Sequence, residues 1–167
     1  MTNETERPEV TLSMLKGAFA MRAAFYAHMF DVLREKYGAS AAVDLMSQAT
    51  VRLGEGMAEK YSEFAPADLA GLKDGFLGGI PCAAEMFAPE VKRCDEQRLE
   101  IQFHRCPLKD TWLAMGRSEE DIEMLCRAGG AIDGGLFSKA GFIFKGETWT
   151  KGRSGCCLLR VEPGPAA

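Results

Sequence analysis

The stretch QFHRCPLKDTW, residues 102–112, brings three reactive side chains together just before a proline. His104, Arg105 and Cys106 stand at the end of an apparent β-strand. Alternate side chains of a strand share a face, so His104 and Cys106 would point the same way. A thiolate is a strong nucleophile near neutral pH when a basic neighbour lowers its pKa. The pattern therefore predicts a nucleophilic Cys106 activated by His104, with a buried structural thiol as the alternative.

Two charged residues elsewhere stand in sequence surroundings that suggest a role in chemistry. Asp133 lies in GGAIDGGLF, and it could be a turn or cap aspartate, or a general acid/base. Arg22 falls on an apolar stripe of a predicted helix, where a charged group needs a partner. That partner could be an internal carboxylate or the carboxylate of a bound substrate, held by two hydrogen bonds.

The remaining cysteines offer a second kind of chemistry. The six cysteines, at positions 82, 94, 106, 126, 156 and 157, have none of the paired spacings of a zinc knuckle. Taken alone, Cys126 and Cys156 are typical of core thiols. With Cys106 and Asp133 they could instead form a Cys3Asp site for zinc or iron, in which a metal-bound hydroxide would attack. The sequence requires no cofactor, Cys82 and Cys94 are expected to be structural, and no role is assigned to Cys157.

The elements that must position these residues begin with helices. A first helix is predicted over residues 10–37, ended by Gly38, and a second from Ser40 to just before Pro66. A third covers residues 66–76. The first helix is apolar on two faces, which is typical of a buried central helix, although it would also suit a dimer seam. Glycines 54 and 56 within the second helix suggest close packing against a neighbour.

The second half of the chain predicts two antiparallel hairpins, over residues 89–107 and 140–162. Two helices separate them, and the second is expected to begin at Ser118 and to end at Gly129. The result is an α+β fold, with N-terminal helices packed against a small antiparallel sheet of two hairpins with inserted helices. We expect a disordered leader (1–9), one domain (10–162) and a frayed tail (163–167).

Composition narrows the classes of partner. A net charge of −4 and a pI near 5.3 give no basic surface for nucleic acid. No stretch reaches the roughly 20 apolar residues of a membrane helix. The first nine residues carry neither the basic nor the apolar region of a secretory signal, so a cytoplasmic location with reduced thiols is expected.

The order of these motifs resembles the L-2-amino-thiazoline-4-carboxylic acid hydrolase family. The resemblance rests on RAAFYAHMFDVLREKYG, RLGEG, CPL, Cys126 20 residues beyond Cys106, Asp133 7 residues further on, and GRSGC, and it runs from about residue 10 to residue 161. It implies hydrolysis of a C–N or C–S bond in a small cyclic amidine-like acid, such as opening a thiazoline ring to N-carbamoyl-cysteine. It also implies that Arg22 binds the substrate carboxylate. Neither His104 nor Cys157 belongs to the pattern.

Together these observations predict an enzyme whose catalytic residues are Cys106, Asp133 and His104. Arg22 would bind the substrate, while Cys126 and Cys156 would line the site or hold a metal. Two alternatives remain: a metal- or ligand-binding sensor that uses Cys106, Cys126 and Cys156 without turnover, and a structural or interaction protein. The expected partner is a small-molecule carboxylate, with no nucleic acid and no membrane, and the chain could form a homo-oligomer.

Overall fold

The computed structural model describes residues 9–165, which form an α+β fold with N-terminal helices and a small antiparallel sheet, as predicted. The helices are α1 (Leu12–Tyr37), α2 (Ala39–Glu55), α3 (Leu69–Gly78), α4 (Ala83–Met86), α5 (Pro107–Ala114) and α6 (Glu119–Ala140), with a 3-10 helix at Glu59–Phe64. The strands are β1 (Pro89–Cys94), β2 (Leu99–Phe103), β3 (Ile143–Phe144) and β4 (Leu158–Glu162). Most of the predicted disordered leader, residues 1–8, lies outside the described residues.

Helix α1 begins where the Thr11 hydroxyl accepts a hydrogen bond from the Met14 amide, and it ends at Gly38, whose φ is +87°. One face buries Ala23, Ala27 and Phe30 in the core. The second apolar face is exposed to solvent, so the prediction of a helix buried on both faces is wrong. The helices that pack on α1, chiefly α2 and α5, leave that face uncovered.

Helix α6 begins as predicted, where the Ser118 hydroxyl accepts a hydrogen bond from the Asp121 amide. It does not end at Gly129 but continues to Ala140 and is terminated by Gly141, whose φ is +106°. Tertiary packing overrides the weak helix propensity of its glycines, because these glycines let a neighbouring helix approach. Asp133, for which a turn or cap position was one interpretation, therefore sits in the middle of a long helix.

Helices α2 and α6 pack with their backbones almost in contact. A Cβ atom at Gly54 would lie 2.1 Å from the carbonyl oxygen of Ile132, and a Cβ atom at Gly135 would lie 2.2 Å from that of Val51. Close packing at Gly54 is thus confirmed. Gly56, in contrast, is the C-terminal cap of α2, and a Cβ atom there would make only ordinary contacts.

The four strands form one antiparallel sheet in the order β1-β2-β4-β3. Both predicted hairpins are confirmed, although β3 is only two residues long. Alternate residues of β2, namely Leu99, Ile101 and Phe103, are buried and turn that face of the sheet toward the helices. The sheet thereby forms one wall of the core.

The predicted frayed tail is partly held against the domain, since the Gly164 amide donates a 2.8 Å hydrogen bond to the Pro66 carbonyl. Residues 166 and 167 lie outside the described part of the chain. Within residues 9–165, no helix is both long enough and apolar enough to cross a membrane.

Candidate functional site

A cavity of about 260 Å³ lies where helices α1, α3, α5 and α6 meet strand β2. Its wall is mainly apolar and aromatic, with Phe19, Phe76, Phe87, Phe103, Leu108 and Trp112 among its lining residues. Within the described chain, the only charged side chains on this wall are Arg22 and Asp133. The cavity therefore combines a large apolar surface with one cation and one acid.

Arg22 is held in the cavity wall by a chain of hydrogen bonds. Its guanidinium donates to the Tyr26 hydroxyl at 3.3 Å and lies over the Tyr26 ring, 5.5 Å from the ring centre. The Tyr26 hydroxyl lies 3.4 Å from the Thr50 hydroxyl, which donates to the Met46 carbonyl at 2.8 Å. No carboxylate of residues 9–165 lies within ion-pair distance of Arg22, so the guanidinium can still bind an acidic ligand.

Asp133 reaches the same cavity from α6 and is half-buried by surface area, although protein atoms surround its carboxyl group closely. Burial raises the pKa of this carboxyl group to about 7, and the positive charge of Arg22 offsets only part of that rise. Its side chain forms no hydrogen bond with any residue that the structure describes. A carboxyl group with a pKa near neutrality can both accept and donate a proton under ordinary conditions.

Cys106 occupies the N-terminal cap position of α5 and also lines the cavity. Interaction with the Cys156 thiol and burial raise the pKa of the Cys106 thiol well above its usual value. The amide groups of Leu108 and Lys109, at the first turn of α5, act in the opposite direction but do not outweigh this rise. Cys106 is therefore a neutral thiol near pH 7 in this arrangement.

Cys126 and Cys156 also line the cavity. Burial raises the pKa of Cys126. Interaction with Cys106 lowers the pKa of Cys156, but the neighbouring Cys157 thiol, 3.7 Å away, and burial outweigh this and raise it to about 12. Neutral thiols are poor metal ligands, because a metal binds the thiolate.

The alternative of a Cys3Asp site for zinc or iron finds no ligand set among the described residues. Across residues 9–165, no three side chains of histidine, cysteine, aspartate or glutamate converge closely enough to hold a metal ion. The thiols and Asp133 line the same cavity without meeting at one point. These residues do not fit a resident metal in the arrangement that the structure describes.

His104 is not brought to Cys106, in contrast to the predicted pair. Strand β2 ends at Phe103, so the alternation of side chains does not continue to Cys106, and the two residues do not share a face. The His104 side chain is exposed, outside the cavity, and its Nε2 atom lies 2.7 Å from a carboxylate oxygen of Glu90. The geometry therefore does not support His104 as the activating base.

The segment between α3 and β1 contributes wall residues that the sequence did not identify. Gly79, Ile80, Pro81 and Phe87 all line the cavity. None of them carries a polar side chain, so residue type gives no sign of a site. They become neighbours of Arg22 and Asp133 only through the tertiary fold.

A second cavity, of about 230 Å³, lies on the other side of Asp133. Its lining includes Arg127, Glu147 and Thr148, and it shares Gly130, Asp133 and Cys157 with the first cavity. Asp133 thus stands at the boundary between an apolar chamber and a more polar one. Water in the second chamber would have direct access to this carboxyl group.

The fold has a counterpart among solved structures. A trafficking protein particle complex subunit 3 from Naegleria fowleri, in a crystal structure covalently bound to palmitic acid, matches with a TM-score of 0.52 and 12% sequence identity. The match covers 90% of this chain and 97% of that chain. At this level of identity the likeness concerns the fold alone. No curated protein matches the sequence.

The family comparison is more direct. The model of the family described as L-2-amino-thiazoline-4-carboxylic acid hydrolase matches residues 18–161, which include every residue that lines the first cavity. The matched segment extends from α1 into β4 and so covers most of the chain. The chain therefore belongs to the L-2-amino-thiazoline-4-carboxylic acid hydrolase family.

Proposed function

We propose that this protein hydrolyses a small cyclic amidine-like carboxylic acid of the thiazoline-carboxylate type in the first cavity. The observation that carries the proposal is the presence of Arg22 and Asp133 on one cavity wall without a bond between them. A substrate with a carboxylate at one end and a cationic amidine at the other would complement both charges. Membership of a family named for such a hydrolase supports the same reaction class.

Arg22 binds the carboxylate of the substrate with two parallel hydrogen bonds, a geometry that the planar guanidinium favours. Asp133 accepts hydrogen bonds from the N–H groups of the amidine. The approach of this cation lowers the pKa of Asp133 below its value in the ligand-free protein. The carboxyl group therefore ionises as substrate binds. The two contacts fix the amidine carbon close to the boundary between the two cavities.

Hydrolysis then adds one water molecule to the amidine carbon. Ionised Asp133 accepts one proton from the attacking water and returns it to the ring sulfur as the carbon–sulfur bond breaks. Because the cationic ring nitrogen already holds its proton, the other water proton is released to solvent as the new carbonyl forms. A carboxyl group whose pKa lies near the working pH is suited to both transfers.

In this proposal the attacking group is water rather than Cys106. The Cys106 thiol is protonated near neutral pH, and no basic side chain of the described residues contacts it to remove that proton. Cys106, Cys126 and Cys156 then serve as weakly polar wall residues. This differs from the nucleophilic role that the sequence suggested, and it makes the two mechanisms separable by mutation.

The test is turnover of L-2-amino-thiazoline-4-carboxylate, followed by mass spectrometry of the ring-opened product. We expect Asp133→Asn to lower kcat by at least about 100-fold, within the usual range for loss of a general base. Cys106→Ala should retain kcat within about tenfold, because the wall thiol takes no part in proton transfer.

Asp44→Asn serves as the matched control for loss of one carboxylate, since Asp44 is exposed on α2 and does not line the cavity. Circular dichroism of each variant separates loss of catalysis from loss of folding. Full turnover in Asp133→Asn would contradict the proposal. An inactive Cys106→Ala that still folds would return the nucleophilic role to the thiol.

A second candidate function is binding of a fatty acyl chain without turnover. The apolar and aromatic lining of the cavity favours it, and the solved structure with the same fold carries palmitic acid. Arg22 would then bind the acid group of the chain. Because Trp112 lines the cavity, its fluorescence should report binding of octanoate or decanoate directly.

These two functions predict different outcomes with the same protein sample. Fluorescence titration with fatty acids that saturates, combined with no turnover of the thiazoline acid, would support the acyl-binding function. Turnover of the thiazoline acid without competition by octanoate would support the hydrolase.

A further inference from the structure

The exposed face of α1 has the residue spacing of a helix–helix interface. The positions concerned, termed the α1 seam here, are Met14, Ala18, Met21, Phe25, His28 and Val32, which alternate in steps of four and three residues. A mean period of 3.5 residues keeps side chains along one line of a helix that packs against another helix. The α1 seam lies opposite the face that enters the core of the chain itself.

The large side chains of the α1 seam are unusually exposed for apolar residues. Met21 is 76% exposed, Phe25 63% and Met14 57%, and nothing in the described chain covers them. Phe25 also borders a shallow groove of about 250 Å³ between α1 and α2, which Met29 and Leu53 help to line. A contiguous exposed apolar patch of this kind commonly marks an interaction site.

Asp31, on one flank of the α1 seam, is already neutralised within the chain. Asp31 accepts hydrogen bonds from both terminal nitrogens of Arg117, at 2.7 and 2.6 Å, and one from Arg34 at 2.9 Å. Covering Asp31 would therefore not bury an unpaired carboxylate. Gly17 and Ala24, on the same flank, are small enough to allow another helix backbone to approach closely.

We propose that the α1 seam pairs in antiparallel orientation with the α1 seam of a second copy of this chain, forming a two-fold symmetric dimer. In that register Met14 faces Val32 of the second copy, Ala18 faces His28, and Met21 faces Phe25. Every seam position then meets another seam position, which is the self-complementarity that a two-fold interface requires. The small Ala18 leaves room for the imidazole opposite it.

The size of this surface suits a second copy. The α1 seam spans about 27 Å along the helix, at 1.5 Å per residue. The apolar area exposed there is on the order of 500 Å² per chain, and the flanking helix surface brings it toward the ~800 Å² per partner of a standard interface. The α1 helix of a second copy matches the α1 seam in both length and residue spacing.

The test uses the full chain in sedimentation velocity experiments over a range of concentrations. We expect a concentration-dependent dimer, with Met21→Glu and Phe25→Lys each weakening association at least about 100-fold because each buries an unpaired charge. An equimolar mixture of the two variants should recover dimer. In the antiparallel register the carboxylate introduced into one chain faces the ammonium group introduced into the other, and the second Met–Phe contact is intact.

Leu113→Glu is the matched control, because Leu113 is a 52% exposed apolar residue on α5, away from the α1 seam. It should leave association unchanged. Circular dichroism melting confirms that each variant folds. A wild-type protein that is monomeric at every concentration would overturn the proposal, as would dimers unaffected by Met21→Glu and Phe25→Lys. If the equimolar mixture of the two variants forms no dimer, the antiparallel register is excluded.

Discussion

Arg22 on α1 and Asp133 on α6 line the same cavity, yet they share no hydrogen bond or ion pair. Had they paired directly, the positive charge would have held the pKa of Asp133 below its usual value. Instead burial dominates, and the pKa of Asp133 rises to about 7. Burying the Asp133 carboxyl group without an ion pair to Arg22 costs stability, and the gap between the two residues leaves room for a ligand. Such a trade is common at functional sites.

Removing the Arg22 guanidinium should weaken binding of carboxylate ligands. We expect Arg22→Ala to raise the Kd of a carboxylate substrate or inhibitor by about 10- to 100-fold, since a hydrogen bond to a charged group contributes ~1.5–3 kcal/mol. Arg22→Lys should recover only part of this affinity, because an ammonium group cannot form the bidentate contact. Isothermal titration calorimetry measures each constant directly.

Arg127→Ala provides the matched control for the Arg22 experiment. Arg127 is an exposed cation that borders the second cavity and not the first. Its removal changes the net charge by the same amount but should leave the Kd unchanged. Equal effects of the two substitutions would mean that the ligand responds to the overall charge of the protein and not to a bond with Arg22.

The raised pKa of Asp133 predicts how stability changes with pH. Between its ordinary value of 3.8 and the folded value of about 7, the folded state binds more protons at Asp133 than the unfolded state. The free energy of unfolding should therefore fall as pH rises through this window and level off above it. The contribution is at its most favourable below pH 3.8, where both states are protonated.

Asp133→Asn removes this pH dependence, so the variant should gain stability relative to wild type as pH rises. The full shift would correspond to ~4 kcal/mol, and water in the cavities reduces the expected relative gain to about 1–2 kcal/mol between about pH 4.5 and pH 8. Urea unfolding at several pH values measures it, with Asp44→Asn as the control for charge. If the stability of Asp133→Asn relative to wild type falls as pH rises, the burial of Asp133 is contradicted.

The fold was largely predictable because its signals are local. Gly38 ends α1, Ser118 begins α6, and alternating apolar residues define β2, each through an interaction that the nearby sequence carries. The end of α6 was not predictable in this way. Gly129 has a poor helix propensity, and only the approach of α2 to Gly135, far apart in sequence, explains why the helix continues.

The site was predictable in composition but not in arrangement. Arg22 and Asp133 were identified from their unusual surroundings, and both line the cavity. The predicted pairing of His104 with Cys106 is not formed, because β2 ends at Phe103, three residues before Cys106, and no side-chain type signals that end. Ile80 and Phe87 carry no chemical signal, since an apolar wall residue of a cavity resembles an apolar residue of the core.

The cysteines should differ widely in reactivity toward iodoacetamide at about pH 7.5. Cys82 and Cys94 are exposed, whereas Cys106 and Cys126 are shielded neutral thiols with raised pKa values. Because only the thiolate reacts, we expect the exposed pair to be modified at least about ten times faster. Peptide mapping by mass spectrometry gives the rate at each position.

Urea-unfolded protein is the control for the alkylation experiment, because unfolding removes differences in burial and should bring all six cysteines to similar rates. Modification of native Cys106 as fast as that of Cys82 would contradict a neutral thiol. It would also restore Cys106 as a candidate nucleophile in the proposed reaction.

The contact between α2 and α6 should be the least tolerant part of the scaffold. A Cβ atom at Gly54 would overlap the Ile132 carbonyl oxygen and one at Gly135 would overlap that of Val51, so either alanine must force the helices apart. We expect Gly54→Ala and Gly135→Ala each to cost about 1–3 kcal/mol of unfolding free energy, the usual range for overpacking. Gly78→Ala, where a Cβ atom meets nothing within 4 Å, should cost nothing or stabilise slightly.

The two alanines should also interact. Once one substitution has separated α2 from α6, the other fits into the space created, so the double variant should lose less stability than the two single variants combined. Because Asp133 lies between Ile132 and Gly135 on α6, the same separation moves its carboxyl group, and turnover should fall further than stability does. Urea unfolding of all three variants measures these losses of stability. If the losses are additive, the two contacts respond independently, and α6 bends locally instead of moving as a unit.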